Sequence, residues 1–235
     1  MADAQARPVV PTRYTEALQG ADPIESLRKA PKRFKKLLKG LSEKQLAKRP
    51  SEGRWSIKEV IAHLADGEVI SGSRLRFVAA QSKPTLIGYD QDLFVANLGA
   101  ERVKTKALFE AFESARALNV ALLARLPEGA LARVGLHSER GEESLEMMVS
   151  MYAGHDLVHE RQILSAREAI LASKSEKKEK KKAQKKLAEK RAKLEEARGR
   201  AQKKAADAKS GEKPSESDAK EPRKAKKASA SMTAN

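Results

Sequence analysis

Apolar residues recur at helical spacing in four stretches of the chain. In the first, Ile24, Leu27, Ala30, Phe34, Leu37 and Leu38 share one side. Asp22 is placed to cap this helix, and Pro23 suits its first turn, where a missing N–H costs nothing. Pro31 lies inside the pattern, so a kink or a split is expected, and Gly40 is a plausible stop. Residues 42–54 read as a connector with at most one short helical turn. The second stretch opens on Trp55-Ser56-Ile57-Lys58-Glu59, a capping box: Ser56 accepts from the Glu59 N–H, and Glu59 reaches back to the Ser56 N–H. Ile57, Val60, Ile61, Leu64, Leu75 and Val78 carry the apolar side to about Ala80. Lys83-Pro84 and Gly88 mark a loop, and a polar and aromatic segment over 90–98 is closed by Gly99. The third stretch places Ala107, Leu108, Ala111, Phe112, Ala115, Leu118, Leu122 and Leu126 along one side, and Pro127 and Gly129 end it. Residues 131–143 read as a loop or a small hairpin. From Ser144 the fourth stretch steps Met148, Tyr152, His155, His159, Gln162, Ala166, with Val149, Asp156, Ile163 and Ile170 flanking, which is the inward seam of a bundle helix.

These patterns predict an all-α four-helix bundle over 22–172, preceded by a mobile arm over 1–21 and followed by a tail over 173–235. The chain carries a net charge of +16, but the charge is unevenly placed. Residues 171–235 hold 22 of the 48 basic side chains and 10 of the 32 acidic ones. The basic character therefore describes the tail and not the body. Residues 174–209 are rich in Lys, Glu and Ala with only Leu187 and Leu194 as large apolar side chains, which suits a single charged helix. Residues 211–235 have the composition of a disordered segment. Cysteine is absent, which removes disulfides, thiolate ligands and a cysteine nucleophile. No apolar run of signal-peptide or membrane-spanning length is present, so a soluble cytoplasmic protein is expected.

Three of the four histidines fall on inward helix positions. His155 and His159 are four apart and project from one face, and His63 lies on the apolar side of the second helix. An H-x-x-x-H pair with a third imidazole from a facing helix supplies three nitrogens to one divalent ion and leaves a position open, the pattern of a catalytic site. A metal there lowers the pKa of a water or thiol in the open position. Zinc, nickel and ferrous iron all accept imidazoles, so the spacing does not choose among them. The competing reading is two satisfied core histidines. Further candidates are His137, either an exposed loop residue or one that leans over the site, and Tyr152, pocket-lining or simply core. Asp66 and Asp156 are candidates to orient the imidazoles. Trp55 reads as a hydrophobic staple, and Arg74 and Arg76 as a solvated face or a contact for an anionic substrate.

Three segments carry a family resemblance. Gly53-Arg54-Trp55-Ser56-Ile57-Lys58-Glu59-Val60-Ile61-Ala62-His63-Leu64-Ala65-Asp66 resembles the second-helix motif of the DinB/YfiT-like metalloenzyme family. Gly88-Tyr89-Asp90-Gln91-Asp92 resembles its loop motif, and Gly154-His155-Asp156-Leu157-Val158-His159-Glu160-Arg161-Gln162-Ile163 its fourth-helix motif. The resemblance covers 22–172. It implies an up-down-down-up bundle and a metal triad of His63, His155 and His159. It also implies an activity of the kind known for characterised members, transfer of a low-molecular-weight thiol or thiol-dependent isomerisation; many members have no known substrate. The expected function is metal-dependent activation of a thiol or water, for transfer to or hydrolysis of a small-molecule substrate. The alternative is a non-catalytic metal-binding bundle whose tail binds nucleic acid or another polyanion without sequence preference. A homodimer is among the expected assemblies.

Overall fold

The structure, a computed structural model, describes residues 12–210. Among them are α1 (Thr12–Leu18), α2 (Pro23–Leu38), α3 (Glu43–Leu46), α4 (Ile57–Ala80), β1 (Thr85–Leu86), α5 (Gln91–Asn97), α6 (Thr105–Ala124), β2 (Val134–His137), β3 (Gly141–Ser144) and α7 (Leu145–Ser210). The capping box forms as its sequence demands: Ser56 accepts from the Glu59 N–H and Glu59 from the Ser56 N–H at 2.7 Å. Asp22 caps α2 at 2.7 Å. Helix α2 runs through Pro31 without a break. Proline cannot donate to the carbonyl four residues back, and that carbonyl, on Leu27, is taken instead by Arg116 from α6 at 3.1 Å.

Helices α2, α4, α6 and α7 form the bundle, and side-chain pairings give their directions. Arg33 on α2 meets Glu160 on α7, and Arg167 further along α7 reaches the carbonyls of Leu37 and Lys39, so α2 and α7 run parallel. Lys58 on α4 donates to the Glu101 carbonyl just before α6, and Arg76 meets Asn119, so α4 and α6 also run parallel. The small sheet, ordered β1-β2-β3, closes one end. Strand β1 after α4 pairs in parallel with β2 after α6, and β3 returns antiparallel into α7, which therefore opposes α4 and α6. The topology is up-down-down-up.

Three helices share one zoning. Along α4, buried Ile57, Val60, Ile61, Leu64 and Ala65 give way to buried Glu68, Ser71 and Arg74, and apolar packing resumes at Leu75 and Val78. Helix α6 passes from Phe109 and Phe112 through Arg116 and Asn119 to Val120 and Leu123, and α7 from Met148 through Asp156 and His159 to Ile163. Two apolar clusters thus enclose a polar belt.

Several expectations need correction. Residues 12–18 are helical with Ala17 and Leu18 buried, not part of a mobile arm; residues 1–11 lie outside the described residues, as does the disordered segment expected over 211–235. The loop after Lys83 contains β1, and residues 91–97 form α5, whose first N–H groups are accepted by Asp90. Of the two readings of 131–143, the hairpin is the one formed. The buried side of α6 is not the row through Ala107, Ala111 and Leu118, which are exposed, but the row through Thr105, Phe109, Phe112, Arg116 and Asn119. Its polar members Thr105, Arg116 and Asn119 disguise it.

From residue 174 to residue 207 every side chain is exposed, including Leu187 and Leu194. The helix there carries i,i+4 pairs such as Lys185–Glu189 and Arg200–Glu196. Among the described residues no helix is long and apolar enough to cross a membrane.

Candidate metal centre

The capping box starts α4 two turns before His63, and α7 presents His155 and His159 one turn apart. The three rings meet. His155 Nε2 lies 3.1 Å from His63 Nε2 and 3.0 Å from His159 Nε2. One ligand atom from each residue falls within 4.8 Å of the others. With metal–nitrogen bonds of about 2.0–2.1 Å, a tetrahedral site separates its nitrogens by about 3.3–3.4 Å, so the donors converge as a metal site requires. His63 is 2 % and His159 9 % exposed, and His155 is half-buried. Burial pushes the imidazole of His63 down to about 3, helped by the neighbouring His159. Burial also drives His155 well below the usual histidine range, with His159, His63 and Arg116 adding to it, and lowers His159. Neutral rings keep their lone pairs available to a cation.

Surrounding residues set the orientation of these rings. His159 Nδ1 meets Gln162 Oε1 at 2.8 Å, which makes Nδ1 the protonated nitrogen and leaves Nε2 free to coordinate. Trp55 packs against the core as a staple, but it also walls the triad, with its ring 5.0 Å from His63 and stacked at 6.4 Å over His159. Tyr14 on α1 meets His155 edge-on at 5.6 Å. Helix α1 can approach this closely because residue 154 is glycine: a Cβ there would overlap the Tyr14 backbone. A glycine in the middle of a helix was the one signal in the sequence of this contact.

Asp156 does not orient an imidazole. It is 1 % exposed and takes Arg116, which donates to its two oxygens at 2.5 and 3.1 Å. Arg116 also donates to Glu68 at 2.7 Å, and Asn119 donates to the same carboxylate at 3.0 Å. Its flanking acids hold the guanidinium charged, above its already high ordinary range. Asp66 makes no hydrogen bond to an imidazole among the described residues; partial burial raises its carboxyl. His137 is not an exposed loop residue. It is 2 % exposed on β2, where its Nδ1 accepts from the Glu139 N–H at 3.2 Å and its buried Nε2 has no partner. It does not line the cavity beside the triad.

That cavity, about 490 Å³, runs along the inner side of α4 from His63 past Gly67 and Ser71 to Arg74. Helix α7 contributes Met151, Tyr152, His155 and Asp156, and the Tyr89–Asp92 loop the mouth. Tyr152 lines it and also packs against the neighbouring apolar cluster, so its two readings are not exclusive. Arg74 is not on a solvated face; it is 7 % exposed and lines the same cavity. Arg76 is partly buried and bonds Asn119.

Known proteins place this arrangement. A Bacillus mycoides (strain KBAB4) protein that carries the provisional name of metal-dependent hydrolase is 26% identical over 147 residues, covering 63% of this chain and 84% of its own length. A similarly named Bacillus cereus (strain ATCC 10987) protein matches to the same extent. Among solved structures, YfiT of Bacillus subtilis, described as a four-helix bundle of unusual topology, superposes with a TM-score of 0.58 at 21% identity, over 61% of this chain and 83% of that one. A mutant mycothiol-dependent maleylpyruvate isomerase superposes at 0.51 with 13% identity, over 60% of this chain and 59% of that one. The sequence model of one family matches residues 26–163, the stretch that holds all three converging histidines: the chain belongs to the DinB superfamily.

Proposed function

We propose that the chain is a divalent-metal-dependent enzyme that activates a water or a thiol at His63, His155 and His159, for hydrolysis of, or transfer to, a small substrate. The observation that carries this reading is the convergence of three neutral imidazoles, two buried and one half-buried, at one end of a cavity that His63 and His155 line and that is large enough for a small molecule. An ion held by three imidazoles supplies Lewis acidity at its open positions and lowers the pKa of a water or thiol there. The chain's own residues do the rest. Gln162 holds the His159 tautomer, Trp55 and Tyr14 exclude water from two sides of the rings, and the Arg116 network locks α7 against α4 and α6 so that the triad keeps its spacing.

The test is metal content per chain in protein purified without a histidine tag, beside His63→Ala and His159→Ala. About one equivalent in wild type, lost in both variants with helicity retained, supports the reading. Turnover of ester, amide and electrophile panels with and without added thiols then separates hydrolysis from transfer. Activity that persists in a metal-free variant sinks the proposal.

A second reading concerns residues 178–210 alone. Their helix is exposed from residue 178 to residue 207 and predominantly basic, which favours counterion-release binding of a polyanion such as DNA. Full chain and a chain ending at residue 172 are compared in a salt titration of DNA affinity; equal affinities rule out a role for the tail.

A further inference from the structure

Six charged side chains are buried in the described part of the chain: Lys58, Glu68, Arg74, Arg116, Glu143 and Asp156. Five of them have an ionic partner. Lys58 pairs with Glu43 at 3.1 Å, Glu68 and Asp156 both pair with Arg116, and Glu143 pairs with Arg140. Arg74 is the exception. Among the described residues its guanidinium donates to the Ile87 carbonyl and lies 5.7 Å from the Tyr89 ring, and no carboxylate pairs with it. Removing a guanidinium from water without a counter-ion is costly, and a fold that pairs its other buried charges keeps this one open at a cavity wall.

A second group beside it is also left open. The Tyr152 hydroxyl is buried, lies beside Arg74, and donates to no acceptor among the described residues. Both residues line the cavity that begins at the triad. Arg74 follows His63 by eleven residues, close to three helical turns, so both project from one side of α4, roughly 16 Å apart along its axis. A helical side chain leans toward the N-terminus, which brings the guanidinium back toward the histidines. The acidic groups of the lining do not neutralise it: Glu68 and Asp156 are spent on Arg116, Asp90 caps α5, and Asp92 and Glu139 are exposed.

We infer that Arg74, with the Tyr152 hydroxyl beside it, is the subsite for a carboxylate of the substrate, whose reacting group lies at the triad. One buried, uncompensated positive charge with a neutral donor matches a single negative charge, whereas a phosphate monoester brings nearly two. A guanidinium fork also fits the two carboxylate oxygens. The substrate class is an elongated small molecule with a carboxylate at the end remote from the reacting bond. This assignment rests on the metal-dependent reading for the position of the reacting group, but not for the carboxylate site itself.

Calorimetric titration separates the two. Zinc-loaded wild type is titrated with ω-carboxy hydroxamic acids of increasing chain length and with their neutral methyl amides. Metal-free protein is titrated with hexanoate. The best carboxylate probe is expected to bind at least about tenfold tighter than its neutral counterpart, and hexanoate to bind metal-free wild type. Both preferences are lost in Arg74→Met, while the neutral hydroxamate binds that variant as it binds wild type. Tyr152→Phe loses a smaller part of the preference. Arg74→Met melts at or above the wild-type temperature, because it removes an uncompensated charge and keeps the apolar stem; a guanidinium with a structural role would lower it. Equal affinity for charged and neutral probes in wild type, or a carboxylate preference that survives Arg74→Met, overturns the subsite. A neutral hydroxamate that fails to bind wild type overturns the metal reading instead, and the hexanoate comparison still decides the subsite.

Discussion

The polar belt of the bundle contains two clusters built on opposite principles. Around Arg116 each charge has its partner: the guanidinium is shared by Asp156, Glu68 and the Leu27 carbonyl, and Asn119 completes Glu68. Around the cavity the groups are left open. Three imidazoles turn lone pairs toward one another, and among the described residues Arg74 has no carboxylate partner and the Tyr152 hydroxyl donates to no acceptor. The closed cluster holds helices together; the open one has capacity left for something that is not protein. Buried polar groups as such do not mark a site here; unsatisfied ones that line the cavity do.

The comparison breaks most readily at Arg116. Arg116→Met strands Glu68 and Asp156 without a cation, and chemical denaturation should show a loss of about 3–5 kcal/mol; a loss below about 1 kcal/mol would mean that the closed cluster is not structural. Gly154→Ala forces α1 off α7 and should cost about 1–3 kcal/mol, with faster proteolysis around Gln19–Gly20. Wild-type proteolysis rates in that variant would show that α1 does not dock on the triad.

Acidification probes the open cluster. The His63 imidazole is held near 3 in the folded chain against about 6.5 when unfolded, so between those values the unfolded chain binds the extra proton. Stability of chelated protein is therefore highest above about pH 6.5 and falls as pH drops. From pH 7 to pH 5 the His63 share of that fall is about 2 kcal/mol. It should be missing in His63→Ala, and an identical slope in both proteins would contradict the burial argument. The mildest change is Gln162→Ala, which frees the His159 ring without removing a ligand. Metal affinity should drop about tenfold by competition with a chromogenic chelator, with stability of the metal-free form nearly unchanged.

The residues show why part of this was legible in one dimension. The Ser56–Glu59 box, the repeats of α4 and α7 and the spacing of His155 and His159 are local, and local rules govern them. The buried face of α6 was misread because Arg116 and Asn119 look like solvent-facing residues until their partners 40 to 51 positions away are known. For the same reason Arg74 reads in the sequence either as a solvated face or as a contact for an anionic substrate, with nothing local to choose between them. Residues 12–18 lack a clear period, and what holds them is contact with α7 at Gly154.

The sequence by itself determined the four bundle helices, their caps and the identity of the three imidazoles, because helix formation and side-chain spacing depend on neighbours a turn or two away. Only the tertiary structure decided which buried charges are answered and which stay open. Pairing depends on distances between helices far apart in the chain, and no periodicity records whether a carboxylate from another helix arrives at a given guanidinium.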